Sequence, residues 1–376
     1  MPAAVTLPQR STSAVRVMVV DDSAVVRGYI VRLLEQEPGI EVVATCANGQ
    51  LAVQQAARTP LDIIILDVEM PVMDGLTAVP KLLAACPGVK IIMASTLTQR
   101  NATVSIEALA RGATDYIPKP STVGISTNGD FKRDLIEKVV GLGRRTSRAT
   151  ATAPAAAQPN AQPPKPITKA APVLRLRQAS SSAKPQALVI GSSTGGPQAL
   201  LTLLGKLPRE INVPVMIAQH MPATFTAILA QHIARASGRP CTEAANNAEL
   251  RPGSIYLAPG DFHFEIVREG TAAIARLNQA PPENFCRPSV NPLFRSAARF
   301  WGGDACAVML TGMGSDGVDG TRMLAAAGAP VIAQDEASSV VWGMPGAIAT
   351  AGLCTAVLPL NEIAGHLSTV FAGARR

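Results

Sequence analysis

Residues 187–200, ALVIGSSTGGPQAL, pass from an unbroken apolar stretch through six small residues into a second apolar stretch. A short Val/Ile/Leu run that is apolar at every position is the pattern of a strand buried on both faces, and the Gly-Pro pair that follows suits the opening of a helix. The segment therefore reads strand, tight turn, helix, which is the βα unit of a parallel sheet. It also holds G-x-S-x-G at 191–195, where a sharp turn can expose Ser193 beside backbone N–H groups. Small residues are also what any tight turn needs, so Ser193 is either a turn filler or a nucleophile. A glycine cradle for phosphate fits poorly, because the spacing matches neither G-x-G-x-x-G nor G-x-x-x-x-G-K-[ST].

The alternation continues outward on both sides. Beyond 200, VPVMIAQH (213–220), SIYLAP (254–259), ACAVMLTG (305–312) and APVIAQD (329–335) predict further strands, with hairpin character in FHFEIVREGTAAIARL (262–277). Helices are expected near 197–206, 225–236, 291–300, 317–327 and 362–371. Before 187, VRVMVV, EVVATC, DIIIL, KIIMAS and TDYIP predict five strands, separated by helices near 23–37, 50–58, 76–85 and 102–111 and closed by one over 131–142. The fold class is α/β throughout: a five-stranded doubly wound, flavodoxin-like unit, then a larger, mainly parallel doubly wound unit.

Between them, residues 141–184 are rich in Ala, Pro, Ser, Thr and Gln and carry eight Lys and Arg with no Asp or Glu, which exceeds the whole net charge of +7. A flexible linker is expected there, with units at 15–140 and 185–374. Because the basic excess sits in the linker and only 3% of residues are aromatic, a nucleic-acid surface is not expected. The chain has no apolar run of membrane-spanning length, and its N-terminus lacks the apolar centre of a signal peptide, so a cytoplasmic protein with no membrane insertion is expected. Six cysteines without metal-ligand spacing point to reduced thiols.

Chemistry in an open α/β sheet collects at the carboxyl ends of its strands. In the first unit those ends carry Asp21 and Asp22, Asp67, Ser95 and Thr96, and Lys119. Clustered carboxylates repel unless a cation is present, and an all-oxygen site suits Mg²⁺. One carboxylate can then accept a phosphoryl group whose oxygens are stabilised by the Lys and a hydroxyl. Helix capping is the ordinary role for either Asp21 or Asp22 alone; it does not account for the joint spacing. With VDDS, LDVEMPVMDG, AST and KP in the family's places, residues 15–140 resemble the receiver domain of two-component response regulators. The resemblance implies Asp67 as phospho-acceptor, and Mg²⁺ held by Asp22, Asp67 and the Glu69 carbonyl with help from Asp21. It also implies Ser95 as switch hydroxyl, Tyr116 as switch aromatic and Lys119 as phosphate-binding lysine.

A serine nucleophile in the second unit needs a base, and four histidines are available. His220 follows a predicted strand at the same rim as Ser193, whereas His232 and His366 fall in helices and His263 in a strand. Asp316, in the glycine-rich turn after ACAVMLTG, can orient an imidazole, although capping the following helix would also occupy it. The order Ser, His, Asp differs from that of α/β-hydrolases.

IGSSTGGPQAL, QHMPATFT, APGDFHF, RPSVNPLF, LTGMGSDG and SSVVWGMPGAI, in that order, are similar to the catalytic domain of the chemotaxis protein-glutamate methylesterases, the CheB family. The resemblance implies Ser193 as nucleophile, His220 as general base, Asp316 as its orienting carboxylate and the Met313 backbone amide as oxyanion donor, with no cofactor in this unit. It further implies methyl-accepting chemoreceptors as substrate, release of methanol from glutamate γ-methyl esters, glutamine deamidation as a second activity, and a chemotaxis histidine kinase as phosphodonor. A receiver in front of a hydrolase suggests gating by phosphorylation. Ser192 and Asn291 depart from the family's usual Ala and Asp. No individual side-chain role follows for APGDFHF and RPSVNPLF. The competing expectation is a response regulator with a DNA-binding or other non-catalytic output unit.

Overall fold

The computed structural model describes residues 14–96, 98–119, 128–150, 174–180 and 184–373. Two α/β units are present, each taken as a parallel sheet with the helices that follow its strands along the chain.

In the first, β1 (Val15–Val20), β2 (Ile40–Cys46), β3 (Ile63–Asp67), β4 (Lys90–Ser95) and β5 (Asp115–Pro118) alternate with α1 (Ala24–Glu35), α2 (Gly49–Ala56), α3 (Gly75–Ala85), α4 (Gln99–Ala110) and α5 (Asn128–Thr150). The strands are parallel in the order β2-β1-β3-β4-β5, so the order reverses between β1 and β3. That reversal opens a crevice at the strands' carboxyl ends. Every side chain of β3 is buried, as its unbroken Ile/Leu run predicts. Ser23, Asn48 and Asp74 cap α1, α2 and α3 by accepting from backbone N–H groups three residues on.

The second unit holds β6 (Ala187–Ser192), α6 (Gly196–Gly205), β7 (Val215–Gln219), α7 (Ala223–Ser237), β8 (Cys241–Glu243), β9 (Ile255–Leu257), the hairpin β10 (His263–Glu269) and β11 (Ala272–Asn278), and α8 (Val290–Trp301). Then come β12 (Ala305–Met309), α9 (Val318–Ala326), β13 (Val331–Gln334), α10 (Met344–Thr350), β14 (Ala356–Leu358) and α11 (Leu360–Ala372). Seven strands form a parallel sheet in the order β14-β13-β12-β6-β7-β9-β8, and the hairpin stands apart from it as an antiparallel pair. Here the order reverses at β6, which lies between β12 and β7. Val189, Met309, Phe264 and Phe294 belong to one buried cluster that packs the hairpin and α8 onto the sheet.

Several elements differ from the sequence expectation. The edge strands β8 and β14 have three residues each, and α10 has seven, too short to carry a readable period. The helix expected over 131–142 runs as α5 to Thr150, because the Arg- and Ala-bearing sequence there continues without a proline. Within the stretch read as linker, residues 174–180 are tied to the second unit. The Arg177 backbone N–H donates to Cys354 O, and its guanidinium donates to the carbonyls of Leu353 and Ala329. Residues 151–173 and 181–183 of that stretch lie outside the described residues. No helix among the described residues is long and apolar enough to cross a membrane.

Candidate active site and phosphoryl pocket

At the carboxyl edge of the second sheet the register sets three chain segments side by side. Gly191 pairs with both Ala218 and Met309, and Ser192 with Gln219. Just beyond, Ser193 N–H donates to Thr311 O at 3.0 Å and His220 N–H to Ser192 O at 3.1 Å. The turn needs its glycines. Gly195 has φ of +74°, and a Cβ on Gly312 would come within 2.9 Å of Ser193 Cβ and 2.4 Å of Met344 Sδ.

Two adjacent serines are separated by their surroundings. Ser192 is buried, and its hydroxyl donates to Gln219 Oε1 at 2.6 Å; the Gln219 amide in turn donates to the Ser193 and His220 carbonyls. Ser193 is partly exposed, and its hydroxyl makes no hydrogen bond among the described residues. Ser192 is therefore a structural anchor for the turn that presents Ser193.

His220 Nε2 lies 2.7 Å from Asp316 Oδ2. Its other ring nitrogen, Nδ1, faces Cys286 Sγ at 3.3 Å rather than Ser193. Hydrogen bonds that serve catalysis are often unformed in an unliganded site, so the lack of a Ser193–His220 bond does not exclude one after the imidazole turns. Asp316 is 2% exposed and richly satisfied. Besides His220 it accepts from Ser289 Oγ at 2.7 Å, Asn284 Nδ2 at 3.0 Å, and the backbone N–H groups of Val290 and Gly317 at 2.6 and 2.8 Å. Val290 begins α8 and Gly317 caps α9, so two helix N-termini face this one carboxylate. Burial pushes its pKa up, but the imidazole and the amide and hydroxyl donors outweigh burial and hold the carboxyl down at about 2. Burial pushes His220 down, and the facing Cys286 and Asp316 raise it above the ordinary histidine value. The Met313 N–H, in the turn beside Ser193, donates to no group among the described residues.

The sequence missed four contributors here. Ser289 directly before a helical pattern was a legible cap, while Gln219, Asn284 and Cys286 gave no signal. Asn291 is buried and accepts from Gly320 N–H at 2.9 Å, a bond that ties α8 to α9.

In the first unit, Lys119 Nζ sits 2.7 Å from Asp21 Oδ2 and 2.7 Å from Asp67 Oδ1. Carboxylate oxygens of Asp21, Asp22 and Asp67 lie within 4.8 Å of one another. Asp67 is 4% exposed, and burial pushes its pKa up to about 6; Lys119 opposes the rise, while Asp21 and Asp22 add to it. Ser95, one step past the Asp67↔Ala94 register pair, buries a hydroxyl that has no hydrogen-bond partner among the described residues. An excess of carboxylate at one side and an unsatisfied hydroxyl at the other fit a divalent cation and an anionic group bound together. Tyr116 is buried on β5 with Lys138 Nζ 5.5 Å from its ring centre, and Asp22 and Glu69 are exposed.

The model for the CheB methylesterase family matches residues 188–367, and the model for the response regulator receiver domain matches residues 17–124. The protein-glutamate methylesterase/protein-glutamine glutaminase 1 of Paramagnetospirillum magneticum is 52% identical over 96% of this chain and 97% of its own length. The chain belongs to the CheB family. A relative of the same name in Azospirillum brasilense is 52% identical over 94% of this chain and 92% of its own. The Thermotoga maritima CheB methylesterase catalytic domain, a solved structure, is 36% identical and covers 49% of this chain and 98% of its own, with a TM-score of 0.48. The receiver and the family's catalytic domain thus account for both units, and nothing in either supports a DNA-binding output domain.

Proposed function

We propose that this CheB-family chain is a phosphorylation-activated hydrolase that converts glutamate γ-methyl esters of methyl-accepting chemoreceptors to glutamate and methanol, and glutamines of the same receptors to glutamate and ammonia. The observation that carries the reading is the Asp316–His220 pair at 2.7 Å, set at the strand rim beside a partly exposed Ser193. His220 takes the proton from Ser193 Oγ as the oxygen attacks the ester carbonyl. Asp316 keeps the imidazole aligned and stabilises the imidazolium, and the Met313 N–H receives the oxyanion. His220 then protonates the leaving methoxide, and a water, activated by the same imidazole, releases the glutamate.

In the receiver, Asp67 accepts the phosphoryl group from a chemotaxis histidine kinase. Asp21, Asp22, Asp67 and the Glu69 carbonyl would hold Mg²⁺, which supplies positive charge against the incoming phosphoryl oxygens. Lys119 and the unpartnered Ser95 hydroxyl bind those oxygens, and Tyr116 repacks with Ser95 as the switch. The relatives' shared name and the two domain matches support this reading.

Methanol release from receptor membranes bearing labelled methyl esters tests it. Ser193→Ala is expected to lower the rate by about 10³-fold or more, and Ser192→Ala by less than about threefold. Acetyl phosphate with Mg²⁺ should accelerate the wild type and leave Asp67→Ala unchanged. Equal loss in both serine variants would overturn the assignment of the nucleophile.

A further inference from the structure

Six cysteines are free, and five of them sit among ordinary neighbours. Cys46, Cys241, Cys306 and Cys354 are buried, and burial raises each thiol's pKa, to about 12 for Cys241 and Cys354. Cys86 Sγ lies 3.8 Å from the Leu61 carbonyl. Cys286 differs: its Sγ is 3.3 Å from His220 Nδ1, and the opposite nitrogen of that ring is 2.7 Å from Asp316.

Thiol, imidazole and carboxylate are thus aligned in the manner that activates a cysteine. The imidazole can take the thiol proton, and the carboxylate stabilises the imidazolium beside the thiolate. The segment that carries Cys286 is held by several hydrogen bonds. Cys286 and Glu283 exchange backbone hydrogen bonds at 2.9 and 3.2 Å, and Glu283 is gripped by both terminal nitrogens of Arg295 at 2.7 and 2.5 Å. Asn284 and Phe285 are held at φ of +51° and +62°, a costly region for a bulky residue, with the Asn284 amide bound to Asp316 itself. Cys286 remains partly exposed, within reach of a small oxidant.

We propose that Cys286 is a site of oxidation by hydroperoxides, and that its sulfenic acid stops the hydrolase by occupying His220. The inhibitory half rests on the esterase reading above; the thiol chemistry does not. The thiol proton passes to His220 Nδ1, and a sulfur electron pair attacks one peroxide oxygen. The S–O bond forms as the O–O bond breaks, and the departing hydroxide takes the imidazolium proton to become water. Sulfur loses two electrons and the peroxide gains them. The new S–OH keeps Nδ1 engaged, so that nitrogen cannot turn to receive the Ser193 proton. Two equivalents of an external thiol reverse the step, giving water, a disulfide of the added thiol and the original Cys286.

The test treats the full chain with graded hydrogen peroxide, traps sulfenic acid with dimedone for peptide mass spectrometry, and measures methanol release. Each protein's rate is divided by its own rate without peroxide. Dimedone should label Cys286 before the other five cysteines, and the wild-type rate should fall about tenfold or more and return with dithiothreitol. Cys286→Ala and Cys286→Ser should keep their rates through the same treatment. Labelling elsewhere first, an insensitive wild type, equal loss in the variants, or a loss that dithiothreitol does not reverse, as oxidation of Met313 would give, overturns the proposal. An untreated wild type without esterase activity would sink the functional reading, while the order of dimedone labelling would still decide whether Cys286 is the activated thiol.

Discussion

Asp67 and Asp316 occupy equivalent places, each a buried carboxylate at the carboxyl edge of a parallel sheet where the strand order reverses, yet their proton affinities move in opposite directions. Asp67 is pushed up to about 6 and Asp316 held down to about 2. Burial raises both, so the difference lies in the partners. Asp316 accepts from two helix N-termini, a serine, an asparagine and an imidazole. Asp67 has one lysine, which it shares with Asp21, and stands close to two other carboxylates. A fully satisfied carboxylate orients a neighbour and changes little; an under-satisfied one has a free-energy incentive to take on a cation and a phosphoryl group. Fold position is shared, and the count of donors separates a fixed support from a site of exchange.

Exchanging each carboxylate for its amide sharpens the contrast. Asp67→Asn should abolish acetyl-phosphate-dependent phosphate incorporation, measured by intact mass, while unstimulated methanol release persists. Asp316→Asn should lower methanol release by about 10²- to 10⁴-fold, because the amide presents a donor where His220 needs an acceptor. A rate for Asp316→Asn within threefold of wild type would remove Asp316 from the catalytic account. Ser289→Ala deletes one of the donors to Asp316 and should slow release by about tenfold, with the imidazole's acid limb shifted in the rate's pH profile.

Much of this contrast was legible in the sequence, and the rest was hidden for identifiable reasons. Asp21, Asp67 and Lys119 stand at the ends of unbroken apolar runs, and strand ends of one parallel sheet must converge, so their meeting followed from spacing. Ser193, His220 and Asp316 converge by the same rule. Of the donors around Asp316 only Ser289 left a signal, as a helix cap; two others are backbone N–H groups where α8 and α9 begin, and Asn284 reaches in from a loop whose path no periodicity encodes. Cys286 approaches His220 on that same loop. The roles of Ser192 and Ser193 could not be separated in GSSTGG, since burial of one hydroxyl against Gln219 is a tertiary fact. The short β8, β14 and α10 escaped because three to seven residues are too few to establish a period.

Acid titration of stability supplies the smallest effect and the most direct comparison. Asp67 in the folded receiver binds its proton more tightly than in the unfolded chain, where an ordinary value near 3.8 applies. Between those values the native state holds the extra proton, so metal-free stability should rise as pH falls from about 7 towards 5. The gain expected is on the order of 1–2 kcal/mol, below the full equivalent of the shift because denatured chains and solvent relax around the charge. Asp316 behaves oppositely: its stabilising contribution is complete above the unfolded value and is lost only as pH drops through about 2. Asp67→Asn should remove the gain at pH 5 and leave the low-pH loss in the second unit intact, read as two transitions in denaturant melts. Mg²⁺ should stabilise the wild-type receiver more at pH 8 than at pH 5, where the Asp67 proton competes with the cation for the same oxygens. An Asp67→Asn receiver that keeps the pH 5 gain would assign it to another carboxylate, and the two aspartates would no longer differ as their partners require.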